Sequence, residues 1–268
     1  MPPKILVISG PTASGKTRLA VELALRHGGE VVSADSMQIY RGMTIGTAAP
    51  TEAEMQGVPH HMIAVADPAE QWSAAEYVQR ATPVVDDILA RGKLPVLVGG
   101  TGLWMDALIR GHGFAKGHAG GAIRRELEAR LEREGIAPLL EELRQVDPES
   151  AERLHPADTK RILRALEVYR ETGKTISAHN AETRDLPPRY DAVWIGLQFR
   201  DRADMKTLID RRVDAMVAAG LLEEVGQLLE SGLPREATAL QAIGYKEFLG
   251  VLDGTATVEE AVAEVKLR

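Results

Sequence analysis

Short apolar runs alternate with longer amphipathic stretches through the first hundred residues. Ile5-Leu6-Val7-Ile8, Glu30-Val31-Val32-Ser33 and Leu94-Pro95-Val96-Leu97-Val98 are short for helices and lack the apolar/polar alternation of a half-exposed strand. They predict strands covered on both faces, the texture of a parallel sheet. Between them, 18–24 predicts a first helix, and Ser73-Ala74-Ala75-Glu76 fits a capping box opening a helix over 74–91 that Pro83 should bend or restart. His60-His61-Met62-Ile63 predicts a further strand, and 42–59, rich in Gly, Thr and Pro, reads as a loop with one short helix at 51–55.

From Gly111 the pattern changes. A glycine-rich stretch at 113–121 gives way to helical periodicity over 123–134, 138–146 and 159–172, the last with Ile162, Ala165, Leu166 and Tyr169 on one face and Gly173 as its stop. Strand texture resumes at Ala192-Val193-Trp194-Ile195-Gly196-Leu197. Residues 111–188 therefore read as an all-helical insertion in an α/β core made of 1–110 and 189–268. The remainder predicts helices over 204–219, 221–230, from Gln241, and over 258–266.

Composition narrows the picture. The 268 residues are 44% hydrophobic and 26% charged, ordinary for a globular chain, and contain no cysteine, which excludes disulfides and thiolate metal sites. No apolar run approaches membrane-spanning length and the N-terminus enters a strand directly, so a cytoplasmic protein without a membrane partner is expected. A formal charge of −7 argues against indiscriminate coating of nucleic acid. Basic residues still gather at Arg124-Arg125, Lys160-Arg161, Arg164, Arg200, Arg202 and Arg211-Arg212; each cluster alone reads equally well as a solvated helix face.

The chemistry starts at Gly10-Pro11-Thr12-Ala13-Ser14-Gly15-Lys16-Thr17, between the first strand and first helix. It matches the phosphate-loop pattern G-x-x-x-x-G-K-[ST], in which backbone N–H groups and the helix N-terminus face a phosphate chain. Lys16 supplies a mobile charge there, and Thr17 a hydroxyl for Mg²⁺. In parallel α/β proteins ligands sit at the carboxyl ends of strands. That puts Asp35 and Gln38, after the second strand, and Thr101, after Gly99-Gly100, on the same side as the loop. A cap of the following turn is the competing reading of Asp35. Adjacent strand residues face opposite ways, so a polar-contact role is favoured for His60-His61 over a metal site.

Together these segments make the chain similar, over essentially its whole length, to the bacterial tRNA dimethylallyltransferases (tRNA isopentenyltransferases). The carrying segments are the phosphate loop, Ser33-Ala34-Asp35-Ser36-Met37-Gln38-Ile39-Tyr40, Gly46-Thr47-Ala48-Ala49-Pro50 and Pro59-His60-His61. Val98-Gly99-Gly100-Thr101-Gly102, Lys160-Arg161-Ile162-Leu163-Arg164-Ala165-Leu166-Glu167 and Ala242-Ile243-Gly244-Tyr245-Lys246-Glu247 complete the set. The resemblance implies a P-loop NTPase-like parallel sheet flanked by helices. It also implies transfer of a dimethylallyl group from dimethylallyl diphosphate to N6 of the adenosine 3′ to the anticodon, with Mg²⁺ as cofactor. By the same resemblance, Gly10 to Thr17 with Arg212 bind diphosphate, and Asp35 with Lys16 and Thr17 is catalytic. Asp35, Ser36, Met37, Gln38, Thr101, Arg124, Lys160, Arg161, Ile162, Leu163, Arg164, Gln241, Ala242, Ile243, Gly244, Tyr245 and Lys246 contact tRNA. The helical insertion would grip the anticodon stem-loop, and a monomer is expected.

Two departures stand out. Leu208 occupies the place where the family usually carries an Arg one turn before its Arg-Val pair, here Arg212-Val213, and the basic, Trp-containing tail usual after the final helix is not in this sequence. A small-molecule or nucleoside kinase shares the phosphate loop and the layered framework. A nucleotide-dependent switch does so too, though no base-recognition motif supports it.

Overall fold

The computed structural model describes the chain except residues 112–120 and 185–186, with the backbone alone for Thr183 and Arg184; most of the glycine-rich stretch lies outside the described residues. Two compact units result, one of residues 1–111 and 188–268, the other of 112–187.

The first unit is built on five parallel strands. β1 (Lys4–Ser9), β2 (Gly29–Ser33), β3 (His60–His61), β4 (Leu94–Gly99) and β5 (Asp191–Gly196) pair in the order β3-β2-β4-β1-β5. β2, inside the sheet between β3 and β4, is buried throughout, the polar Glu30 and Ser33 included. Alternate residues feed two faces: Ile5, Val7, Val32 and Leu97 join one core cluster, Ile8, Val31, Val96 and Val98 another. β3 is shorter than the pattern suggests because Met62 and Ala64 adopt left-handed φ of 62° and 51°, which ends the strand. β5 lies at an edge, with Val193 53% and Trp194 49% exposed, so strand texture there did not mean burial on both faces.

Helices α1 (Lys16–His27), α2 (Glu52–Met55), α3 (Ala74–Ala90) and α4 (Gly102–Arg110) accompany these strands. α3 runs through Pro83 as one element, so the helix does not restart there. Pro83 is on the exposed side, while Tyr77, Ala81, Val85 and Ile88 hold a continuous buried stripe at helical spacing. The periodicity did not reveal α4, whose start follows directly on β4.

The second unit contains α5 (Ala122–Glu134), α6 (Ile136–Val146), α7 (Pro148–Arg153), α8 (Thr159–Thr172) and α9 (Ile176–Arg184). Its own core gathers Leu127, Leu139, Leu143, Ile162, Leu163 and Leu166. α7 is too short for periodicity to register; Pro148 at its first turn and the Asp147 cap, accepting from Ser150 N at 3.1 Å, start it. Asp147 also accepts from Ser177 Oγ at 2.6 Å, joining α7 to α9.

The chain after β5 adds α10 (Arg202–Ala218), α11 (Leu221–Glu230), a 3-10 turn at Thr238–Gln241, α12 (Lys246–Leu252) and α13 (Val258–Leu267) to the first unit. The helix expected from Gln241 begins only at Lys246, since Ala242 is extended and Gly244 has φ 94°. No helix among the described residues is long and apolar enough to cross a membrane.

Candidate active site

The site grows from the carboxyl ends of β1, β2 and β4. After β1 the chain turns through residues 10–15 and enters α1 at Lys16. Gly15 caps α1 at φ 82°, a conformation that L side chains rarely adopt, and the first N–H groups of the helix thereby border the turn. Lys16 Nζ folds back over its own loop, donating to Gly10 O at 2.9 Å and Pro11 O at 2.7 Å. Ser14 Oγ is buried with no hydrogen-bond partner among the described residues.

Three charges face one another here. Burial holds the Lys16 ammonium below its usual pKa, Arg212 pushes the same way, and Asp35 opposes both. Burial likewise lowers Arg212, again opposed by Asp35. The Arg212 guanidinium donates to Thr47 O at 3.3 Å, so both cations rest on neutral carbonyls.

Asp35 follows β2. Its Oδ1 accepts from Met37 N at 2.9 Å and Gln38 N at 3.3 Å, the turn-capping role that competed in the sequence. Oδ2 carries no hydrogen bond to a described residue, so one carboxylate both shapes the turn and keeps an acceptor available. Gln38 accepts from Ser33 Oγ at 3.2 Å and donates from Nε2 to Thr47 O and Ala48 O at 3.2 and 3.3 Å. It thus fastens the 44–50 loop over the strand end. Thr101 Oγ1 accepts from Ser36 N at 3.1 Å and donates to Ser36 Oγ at 3.3 Å, locking the turn behind Asp35.

Two adjoining cavities result. The first, about 550 Å³, is lined by all of Gly10 to Thr17 together with Asp35, Gln38, Glu54 and Arg212. The second, about 310 Å³, is lined by Met37, Ile209, Val213, Met216, Ile243 and Tyr245 among others. Thr12, Asp35 and Arg212 line both. A more polar compartment walled by the phosphate loop therefore opens beside a mostly apolar one, with a carboxylate and a guanidinium at their junction.

The remaining sequence candidates divide. Ala242, Ile243, Gly244 and Tyr245 line the second cavity, whereas Ser36, Thr101, Gln241 and Lys246 line neither. Gln241 Nε2 donates instead to Arg235 O at 3.0 Å, and Lys246 lies 3.8 Å from Glu247. In the helical unit Arg161 pairs with Asp158 at 3.2 Å, Arg164 with Glu167 at 2.8 Å and Arg124 with Glu128 at 2.8 Å. For Ile162 and Leu163 the expectation of RNA contact is corrected: at 0% and 2% exposure, both face the core of the unit. Leu208 is 40% exposed and lines neither cavity, so the cation of α10 at the phosphate loop is Arg212. Sequence reasoning missed Ile209, Val213 and Met216 as cavity walls because their spacing reads as a core stripe.

The histidine pair takes no part in this site. His61 Nε2 lies 2.8 Å from Glu30 Oε2 and His60 Nδ1 lies 2.8 Å from Val58 O. No group of three or more His, Cys, Asp or Glu able to hold a metal occurs among the described residues.

Comparison with known proteins bears on the same region. Residues 38–268 match the model of the IPP transferase family. The tRNA dimethylallyltransferase of Symbiobacterium thermophilum is 49% identical over 98% of this chain and 81% of its own length. That of Caldanaerobacter subterraneus is 47% identical over 98% of this chain and 84% of its own. Among solved structures, the tRNA isopentenylpyrophosphate transferase of Bacillus halodurans superimposes with a TM-score of 0.69 at 43% identity, covering 98% of this chain and 82% of that one. A eukaryotic dimethylallyltransferase acting on tRNA gives a TM-score of 0.84 at 29% identity, covering 99% of this chain and 67% of that one. None of these relatives is named as a kinase or a switch. The chain belongs to the IPP transferase family, the tRNA dimethylallyltransferases.

Proposed function

We propose that the chain transfers a dimethylallyl group from dimethylallyl diphosphate to N6 of the adenosine 3′-adjacent to the anticodon in tRNA, releasing diphosphate. The observation that carries this reading is that Asp35 and Arg212 line both the phosphate-loop cavity and the apolar cavity beside it. An allylic diphosphate has the matching two-part character, an anionic head and a five-carbon tail.

The bond that breaks is the allylic C–O bond, and its electron pair stays on the diphosphate oxygen. Charge grows on the leaving group, so donors fixed in place beforehand favour the transition state over the ground state. Those donors are the loop N–H groups, Ser14 Oγ, Arg212 and Lys16. Lys16 exchanges its two carbonyl partners for phosphate oxygens, trading neutral acceptors for anionic ones. The bond that forms joins N6 to the allylic carbon. The exocyclic amine is a poor nucleophile because its lone pair is shared with the purine ring. A carboxylate within hydrogen-bond reach orients it and takes the proton it sheds. Asp35, with Oδ1 tied to the turn and Oδ2 available, suits that task.

Mg²⁺ fits the donor set. It usually binds through one or two protein oxygens plus substrate phosphates and waters, and the cavity offers the Thr17 hydroxyl. When bound it would offset charge on the departing diphosphate.

A stacked adenine cannot reach this depth, so the base must leave the anticodon loop, at a cost of a few kcal/mol. Contacts to neighbouring phosphates offset that cost. Lys160, Arg161 and Arg164, one turn of α8, are the proposed docking cations, with Arg124 of α5 as a further candidate. Local basic residues on a chain of net charge −7 allow RNA binding without general affinity for polyanions.

The test is incubation with Mg²⁺, dimethylallyl diphosphate and unmodified tRNA bearing adjacent anticodon-loop adenosines, followed by mass analysis of nucleosides. ATP turnover without prenylation would return the kinase reading. Asp35→Ala should lower turnover at least ~100-fold while tRNA affinity stays within a factor of about two. Equal losses of both would reassign Asp35 to docking.

A further inference from the structure

Glu224 belongs to no motif in the sequence and lines neither cavity. It sits in the first turn of α11, 7% exposed, yet its carboxylate is crowded with donors. Oε2 accepts from Thr44 N at 2.9 Å, Thr44 Oγ1 at 2.8 Å and Ile45 N at 2.8 Å. Oε1 accepts from Gly46 N at 3.1 Å and from the Tyr245 hydroxyl at 2.6 Å. Burial alone would raise the pKa of this group. The bonds from Ile45, Tyr245, Gly46 and Thr44 outweigh that and hold it below the ordinary value, so the carboxylate is charged where it lies. The N-terminal end of α11 favours the same charge.

What these bonds fix is the wall of the site. Thr47, next after Gly46, presents the carbonyl on which Arg212 rests at 3.3 Å and Gln38 at 3.2 Å. Tyr245 lines the apolar cavity, and its ring lies so close to Gly46 that a Cβ added there would sit 2.4 Å from Cε2. Loop and ring therefore interlock, and Glu224 is the group that ties one to the other.

We infer that Glu224 is a positioning residue for prenyl transfer: by clamping residues 44–46 and Tyr245 it sets the Thr47 carbonyl and, through it, the Arg212 guanidinium over the diphosphate site. The inference rests on the diphosphate role proposed for Arg212. A carboxylate is required because all five partners donate. A glutamine keeps one oxygen for Thr44 and Ile45 but turns its amide nitrogen toward Gly46 N, donor against donor. Tyr245 can rotate its hydroxyl to accept, so Glu224→Gln releases chiefly Gly46, one residue from the carbonyl that holds Arg212.

The experiment measures kcat/KM for dimethylallyl diphosphate at saturating tRNA, tRNA affinity without the donor, and melting temperature, for Glu224→Gln, Arg212→Ala and the double variant. Glu224→Gln is expected to lower kcat/KM about tenfold. Its tRNA affinity should stay within about twofold, and in the Arg212→Ala background it should cost less than about twofold more, because the group it positions is gone. Thr44→Val, which removes a single donor, should show the same pattern at about threefold and stands in if Glu224→Gln does not fold. The inference is overturned if Glu224→Gln stays within twofold of wild type, or if the loss recurs in full without Arg212. It is also overturned if tRNA affinity falls as far as kcat/KM. A damaging Arg212→Ala beside silent Glu224→Gln and Thr44→Val defeats this inference alone, whereas a silent Arg212→Ala defeats the assigned role of Arg212 and this inference with it.

Discussion

The two ends of the sheet handle charge in opposite ways. At the amino end of β2, Glu30 is 2% exposed and closely partnered by cations. It accepts from both terminal nitrogens of Arg91 at 2.5 and 2.8 Å and from Lys93 Nζ at 2.6 Å, with His61 Nε2 at 2.8 Å. At the carboxyl end, Lys16, Arg212 and Asp35 share one region without an ion pair among them, each engaged by backbone groups instead. Charge met by opposite charge is spent on the fold. Charge resting on backbone dipoles can be transferred to a ligand, because a phosphate oxygen is a better partner than a carbonyl. The distinction separates a stabilising cluster from a site where the residue types alone would not.

The comparison can be broken by experiment. The largest effect belongs to Lys16→Ala, which should lower kcat/KM ~10²–10³-fold, as for loss of a donor to developing charge, while the melting temperature hardly moves. A drop in stability rivalling that of a Glu30 variant would show Lys16 to be structural after all. Next comes the simultaneous replacement of Lys160, Arg161 and Arg164 by alanine. The salt dependence of tRNA affinity should flatten by about one unit of slope for each phosphate that is no longer neutralised. Arg161 and Arg164 carry ion pairs, so a slope change near one would mean that Lys160 alone meets phosphate.

The smallest effect on turnover, and the clearest contrast, is Glu30→Gln. Activity at moderate temperature should match wild type, while stability to urea at neutral pH should fall by about 2 kcal/mol, moderated because Arg91 and Lys93 reach solvent. The pH dependence has a definite sign. The Arg91 hydrogen bonds, the largest influence, hold Glu30 well below its ordinary value of 4.5 against the upward push of burial. Its stabilisation is therefore complete above that value and lost progressively as pH falls toward the depressed native pKa. The gap between wild type and variant should be full at pH 7 and narrow below about pH 4.5. A gap that widened in acid would refute the assignment.

Local pattern made the phosphate loop, the strands and the position of Asp35 legible, because an apolar run, a glycine pair and a strand end are read within ten residues. The clamp was not legible: Glu224 and its loop partners are separated by 178 to 180 residues, and nothing in Leu221-Leu222-Glu223-Glu224 distinguishes the clamping glutamate from its exposed neighbour. Ile162 and Leu163 show the converse limit. A motif runs continuously along the chain, but a helix turns one face of it inward, so membership of a segment with Lys160 and Arg164 did not mean a shared surface.

The separate cores of the two units have a practical consequence for these measurements. All three tryptophans, Trp72, Trp104 and Trp194, belong to the sheet-bearing unit, and the helical unit has none. Indole fluorescence accordingly follows the melting of one hydrophobic nucleus, whereas far-ultraviolet circular dichroism sums over both. Where the two signals part company during denaturation, a single equilibrium constant no longer describes the chain, and the Glu30 and Glu224 variants should be ranked by the fluorescent transition.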